Sequence, residues 1–253
     1  MATRSRKLTG SAAAVFKYLK DEDRALGYYD VADGFNDVWG GLASELGLER
    51  GITREQWSEL FDGRWNGDKV VSSGYRQIRD PDTKEIIGRQ LGVRTPMIDV
   101  VFAVPKGVSE LYARAASDVE ANAIGAAVLS AAKVAWTEGV EAHARVARVP
   151  AGRNPATGKH TTQRVTAELL CTPALQFTAR PTQDTIDRGS PADPHLHVHC
   201  ATFTACQVDG RWLTADEAGI KRDYSGGRGD PDVSAGEFGE RVEGSSAMLG
   251  GRR

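Results

Sequence analysis

His195-Leu196-His197-Val198-His199, introduced by Asp193-Pro194 and followed by Cys200, gathers three of the chain's five histidines into five residues of strictly alternating pattern. Neutral imidazole is a ligand for first-row divalent ions, so the spacing points to a metal site. Pro194 opens an extended segment, and the run Ala201-Thr202-Phe203-Thr204-Ala205 to Cys206 is β-branched and aromatic enough for a strand. On a strand, side chains two apart share a face, so the three imidazoles project together while Leu196, Val198 and Cys200 enter the opposite layer. A second chemical residue is Asp99, set inside the apolar strand Ile98 to Val104. A carboxylate buried there needs a partner, which marks it for function.

The elements that hold these residues are readable in outline. Residues about 10 to 20, Gly10 to Lys20, form a short helix after a Ser11 cap, Leu42 to Leu48 and Thr53 to Phe61 form two more, and the last of these begins at a Thr53 cap and closes near Gly63. Residues 64 to 95 are polar and turn-rich, with Asp80-Pro81-Asp82 at a hairpin tip. The Ile98 strand ends at Pro105-Lys106-Gly107, a short helix covers Val108 to Ala115, and Asp118 caps a long Ala-rich helix reaching about Arg145 that lies against a sheet. Val146 to Pro150 begins a strand, Ala151 to Lys159 makes a long turn, and Arg164 to Thr178 returns as a strand interrupted at Pro173. Val208-Asp209-Gly210-Arg211-Trp212-Leu213-Thr214 is a hairpin with a strong turn signature. From residue 225 to 253 the chain is rich in Gly and Ser, the composition of a disordered tail after a domain spanning 1 to 224.

At 253 residues, with 40% hydrophobic and 26% charged residues, the chain is long enough to bury a proper core. A formal net charge of −2 excludes a global basic field, so a nucleic-acid partner needs a local patch. Arg145, Arg148, Arg153, Lys159 and Arg164 cluster around the long turn and could track phosphates. Three cysteines, Cys171, Cys200 and Cys206, lack framework spacing and are expected as free thiols. The basic start (Arg4, Arg6, Lys7) lacks the apolar stretch of a signal peptide, and no apolar run approaches a membrane span. A cytoplasmic protein with no membrane partner is expected.

Three features occur together and in order: Tyr18, Tyr28 and Tyr29 followed by Val38-Trp39-Gly40-Gly41-Leu42-Ala43-Ser44-Glu45-Leu46-Gly47-Leu48; the Asp99 strand running into Pro105-Lys106-Gly107; and the histidine run followed by Asp209-Gly210-Arg211-Trp212. Over residues 11 to 223 this order and spacing resembles the relaxase domain of F-plasmid-like (MobF or TrwC-type) conjugative relaxases, members of the His-hydrophobe-His (HUH) endonucleases. The resemblance implies nicking of single-stranded DNA at an origin of transfer, by a tyrosine that becomes joined to the 5′ phosphate and leaves a 3′ hydroxyl. It puts Tyr18 in the place of the first nucleophile and Tyr28, or Tyr29 one residue on, in the place of the tyrosine of the later strand transfer. Asp99 falls on the acidic residue that orients or deprotonates the nucleophile, Lys106 on the lysine at the strand end, and His197 and His199 on the paired metal ligands. A phenol of ordinary pKa about 10 is a poor nucleophile, so it needs a base and an electrophilic phosphate; a divalent ion, Mg²⁺ or Mn²⁺, supplies the second.

The chain departs from that pattern at the third ligand. The family has a histidine in a Phe-x-His-x-Thr-Ser-Arg stretch, and this chain reads Phe177-Thr178-Ala179-Arg180-Pro181-Thr182-Gln183, with alanine where the ligand would stand. His195 is the obvious replacement, but Cα atoms four apart on a strand lie about 13 Å apart, so His195 and His199 share an ion only if the strand bends. Asp184, Asp187, His143 and His160 are further candidates. The expected fold is α+β, a two-layer palm whose largely antiparallel central sheet carries Asp99 and the histidines under covering helices. The expected partners are origin single-stranded DNA and other proteins of the mobilisation complex. Rival readings are a rolling-circle replication initiator and a relaxase-like module that binds DNA or a partner without cutting. A plain zinc hydrolase lacks a Glu at metalloprotease spacing and leaves the tyrosines unused.

Overall fold

The computed structural model describes residues 2–21, 34–71, 75–91, 94–142, 145–179, 187–188 and 193–215. In chain order these form β1 (Ala2–Leu8), α1 (Ala12–Asp21), β2 (Gly34–Phe35), α2 (Gly41–Glu45), β3 (Ile52–Thr53), α3 (Arg54–Phe61), β4 (Arg64–Trp65), β5 (Asp68–Lys69), β6 (Tyr75–Arg79), β7 (Ile86–Leu91) and β8 (Met97–Ala103). There follow α4 (Lys106–Ala113), α5 (Asp118–Ala135) with a π-helical turn (Trp136–Glu141), β9 (Arg145–Arg153), β10 (His160–Thr166), β11 (Cys171–Thr178), β12 (Pro194–Phe203), β13 (Ala205–Val208) and β14 (Arg211–Thr214).

Four strands make the central sheet, in the order β1-β8-β12-β11, and every neighbouring pair is antiparallel. Its two faces follow from alternation. Ile98, Val100 and Phe102 of β8, Leu196, Val198 and Cys200 of β12 and Leu175 of β11 pack beneath Ile124, Val128, Leu129, Ala132 and Ala135 of α5 and Trp136 of the π turn. The Trp136 indole N–H donates to Thr202 Oγ1 (2.9 Å), so this large side chain is bonded as well as buried. On the other face Met97, Ala201 and Phe203 meet a second core built by Val15, Phe16 and Leu19 of α1, Leu42 of α2 and Trp57, Leu60 and Phe61 of α3. That second core covers one end of its face. The residues that continue the same face beyond it are Asp99, His199 and His197.

Local chemistry explains the element ends. Ser11 Oγ accepts from Ala14 N, and Thr53 with Gln56 forms a reciprocal capping box at α3. Asp80 Oδ1 accepts from the amides of Asp82 and Thr83, closing the β6–β7 hairpin at the expected tip. Asp209 and Gly210 both take positive φ (49° and 71°), the two-residue turn that suits β13–β14. The Trp39-Gly40-Gly41 segment staples the amino-terminal layer to the edge strand: Trp39 and Cys171 exchange backbone hydrogen bonds of 2.9 Å. Gly40 has φ +107°, and a Cβ there would stand 2.1 Å from the Leu169 carbonyl oxygen, so only glycine fits.

Several expectations need correction. The amino-terminal segment, to which no element was assigned from the sequence, is the edge strand β1, paired residue for residue with β8. The long helix is capped by Ser117, whose Oγ accepts from Glu120 N, and it ends at Ala135 in the π turn rather than continuing to Arg145. Pro173 does not break its strand. It lies inside β11, which is an edge strand and so tolerates a residue without an N–H; the chain leaves strand geometry at residues 167–170 instead. All three cysteines are free and buried, as expected. The 225–253 tail lies outside the described residues. Among the described residues no helix is long and apolar enough to cross a membrane.

Candidate active site

Sheet register assembles the site. Arg6 of β1 sits directly across from Asp99 of β8, and Asp99 in turn faces Ala201 of β12, one pleat along from His199. Asp99 is fully buried and is spent on two partners. Arg6 Nε donates to its Oδ2 at 2.9 Å, and His199 Nδ1 approaches both carboxylate oxygens at 2.8 and 3.0 Å. A carboxylate only accepts, so His199 Nδ1 carries a proton, and the ring is held with Nε2 turned away from Asp99. His197 is fixed the same way: its Nδ1–H donates to the His195 carbonyl at 2.7 Å, leaving Nε2 open. Burial is the main cause that pulls His197 down to about 4, against its own hydrogen bond to the His195 carbonyl, which raises it, so the imidazole is neutral at physiological pH.

Tyr18, on α1, lies over this group. Its ring meets the His199 ring edge-on, with centroids 5.8 Å apart and planes at 89°. The Arg6 guanidinium sits 4.8 Å from the Tyr18 ring centroid and hydrogen-bonds the phenol oxygen through Nη2. One arginine therefore joins the phenol to the buried carboxylate. Arg6 was not among the candidate residues. Its signal is faint, because Thr3-Arg4-Ser5-Arg6-Lys7 has no apolar face and its partner lies 93 residues away.

Lys106 opens α4 at the end of β8, and its Nζ donates to the Pro194 carbonyl at 3.0 Å with the Asp193 carboxylate 3.7 Å away. It ties the β8 exit to the start of the histidine strand. His195 stands beside His197, ring centroids 4.9 Å apart, and His197 to His199 is 5.0 Å. The required bend exists: Gln176 pairs with His197 and Thr178 with Pro194, so β12 carries one residue more than β11 across that step, a bulge at His195-Leu196. Even so, among the described residues no three His, Cys, Asp or Glu side chains converge on one point. His160 is on the separate β9–β10 ribbon, paired with Arg153. Cys200 faces α5, away from the histidines, as expected. Asp187 is exposed. Tyr28, Tyr29, His143 and Asp184 lie outside the described residues. Arg153, Lys159 and Arg164 are exposed on the β9–β10 ribbon.

The TrwC relaxase family matches residues 12–225 of this sequence. The chain belongs to the TrwC relaxase family. Comparison with the curated proteins gave no match. Among solved structures it is similar to a conjugative relaxase TrwC in complex with OriT DNA in a copper-bound form, at 20% identity and TM-score 0.58, over 96% of this chain and 70% of that one. A metal-free TrwC–OriT DNA complex matches at 21% identity and TM-score 0.54, over 96% and 69% of the two chains. A metal-bound complex matches at 20% and 0.54, over 96% and 70%. At these identities the likeness carries the fold, an antiparallel palm under helices, as expected from the sequence.

The resemblance read from the sequence put the third ligand position at Ala179. Ala179 is at the end of β11, its N–H donating to the Asp193 carbonyl at 2.9 Å, and is not the residue beside the paired histidines. Gln176 is, directly opposite His197. Aligning the departing stretch on Arg180 instead of Phe177 brings Gln176, four residues earlier, onto the histidine of Phe-x-His-x-Thr-Ser-Arg. The Gln176 side chain is 1% exposed, and neither its Oε1 nor its Nε2 has a hydrogen-bond partner. Two imidazoles with pinned Nδ1 atoms and open Nε2 atoms, next to an unsatisfied carboxamide, are a donor set that fits a divalent ion.

Proposed function

We propose that this domain is a metal-dependent nickase and strand transferase of single-stranded DNA, acting at a plasmid origin of transfer through a covalent 5′-phosphotyrosyl intermediate. The observation that carries this reading is the line of contacts Tyr18–Arg6–Asp99–His199, which sets a phenol, a cation and a metal-ready imidazole on one face of a rigid sheet. His197 and His199 would hold a divalent ion, Mg²⁺ or Mn²⁺, which would supply Lewis-acid stabilisation of charge on the scissile phosphate.

Tyr18 is the nucleophile of the first cut. Its Oη forms a bond to phosphorus as the bond from phosphorus to the 3′ oxygen breaks; the phenol proton is lost to solvent and the 3′ oxygen leaves as a hydroxyl. The cationic Arg6 against Oη favours the oxyanion that attacks. Asp99 acts through others: it holds Arg6 in place and fixes the His199 tautomer, rather than serving as the base. Lys106 holds the start of the histidine strand. The phosphotyrosyl diester keeps the energy of the broken bond, so a 3′ hydroxyl that attacks its phosphorus releases the Tyr18 phenol and rejoins the strand without ATP. Tyr28 or Tyr29 is the nucleophile of the later, separate strand transfer. The partners are origin single-stranded DNA and other mobilisation proteins, in the cytoplasm.

A cleavage-free DNA-binding module is favoured by one observation: among the described residues no third histidine converges with His197 and His199 on one point. One assay separates the two. Labelled single-stranded oligonucleotides spanning the cognate origin, incubated with Mg²⁺ or Mn²⁺, give a denaturation-resistant protein–DNA adduct on the proposed reading, lost in Tyr18→Phe. Tight binding with no adduct in either protein supports the binding module instead.

A further inference from the structure

We infer that Gln176, through Oε1, is the third protein ligand of the divalent ion held by His197 and His199; the inference rests on the reading that this pair binds metal. Four observations converge on it. A buried carboxamide with both ends unsatisfied costs about 1–3 kcal/mol per group, and an apolar residue on a strand between Leu175 and Phe177 would avoid that cost. The structure therefore keeps a polar group where stability alone favours none.

Its direction is set by the ladder. Leu175 and Phe177 belong to the α5-side core, whereas Thr172, two pleats back from Gln176, accepts from Trp57 Nε1 in the opposite layer (3.3 Å). Gln176 thus shares the face of His197, its cross-strand partner, with Cβ atoms in such pairs about 4.5–5.5 Å apart. Ala174, opposite His199, is small and leaves the neighbouring position uncrowded.

Among the described residues, the other ligand types do not complete the pair. No third His, Cys, Asp or Glu converges, Asp99 is engaged by Arg6 and His199, and Cys171 and Cys200 lie in the opposite core. A carboxamide oxygen beside two imidazoles is a harder donor set than three imidazoles, and it tilts selectivity towards Mn²⁺ or Mg²⁺ and away from Zn²⁺ or Ni²⁺.

The test is calorimetric titration of the full chain with Mn²⁺ and, separately, Ni²⁺, with melting curves of the metal-free proteins. In Gln176→Leu the Mn²⁺ Kd is expected to rise roughly 10- to 100-fold while the metal-free Tm is unchanged or higher. In Gln176→His the ratio of Ni²⁺ to Mn²⁺ affinity is expected to rise at least about tenfold. Wild-type Mn²⁺ binding by Gln176→Leu, alongside its loss in His199→Ala, would overturn the assignment of Gln176 and leave the His pair standing. Unchanged binding in His199→Ala as well would overturn both. A metal-free Tm clearly lowered in Gln176→Leu, with Mn²⁺ affinity intact, would make Gln176 a packing residue.

Discussion

A single guanidinium lies between the phenol and the carboxylate in this site, and that placement divides the labour between Arg6 and Asp99. Arg6→Gln keeps a donor near Tyr18 but removes the charge. It is expected to slow adduct formation by roughly 10²-fold and to move the pH profile of cleavage upward, with oligonucleotide affinity little changed; single-turnover rates across pH check this. Asp99→Asn acts elsewhere. An amide that donates to His199 Nδ1 forces the proton onto Nε2, the nitrogen a metal needs, so Mn²⁺ affinity is expected to fall roughly 10- to 100-fold, measured by calorimetry. The histidines and Asp99 were legible in the sequence because alternation on a strand, and a carboxylate inside an apolar run, are local signals. Arg6 was not, since its meaning depends on pairing between β1 and β8, which no local pattern announces. Gln176 was missed for a related reason: matching the motif at Phe177 hides a three-residue shift that only the β11–β12 register exposes.

At the scale of elements, helices and hairpins were the readable part, because caps and turn residues act within a few positions. The Ser11 and Thr53 caps and the Asp80 and Asp209-Gly210 turns stand where expected. What the sequence did not reveal is why Trp39-Gly40-Gly41 recurs with this site. Gly40 lets the backbone pass against Leu169, and Gly41 N donates to Glu141 Oε1 at 2.6 Å; burial raises the pKa of that carboxyl group. The segment locks the layer carrying Tyr18 to the sheet carrying the histidines. Gly40→Ala combines an unfavourable φ with a backbone clash, so a loss of about 2–4 kcal/mol is expected, read from urea unfolding. A wild-type midpoint would remove the staple from the account.

In the whole molecule, one face of the central sheet packs against α5, α1 to α3 pack against one end of the other, and the chemistry lies beyond their apolar core on that second face. Burial there has a pH consequence. His197 titrates at about 4 in the folded chain and near 6.5 when unfolded, so between those values the unfolded state binds more protons, and stability falls as pH drops through that window. The metal-free Tm is expected to decline from pH 6.5 to 4 more steeply in the wild type than in His197→Asn; equal slopes would count against a neutral buried His197. Cleavage turns on Tyr18. The most direct measurement is the covalent adduct between the intact protein and a cognate-origin single-stranded oligonucleotide in Mn²⁺, resolved on a denaturing gel. A metal-dependent adduct is expected in the wild type and none in Tyr18→Phe with DNA affinity preserved; an adduct that persists in Tyr18→Phe, or a wild type that binds the DNA and never forms one, would rule out Tyr18 as the nucleophile.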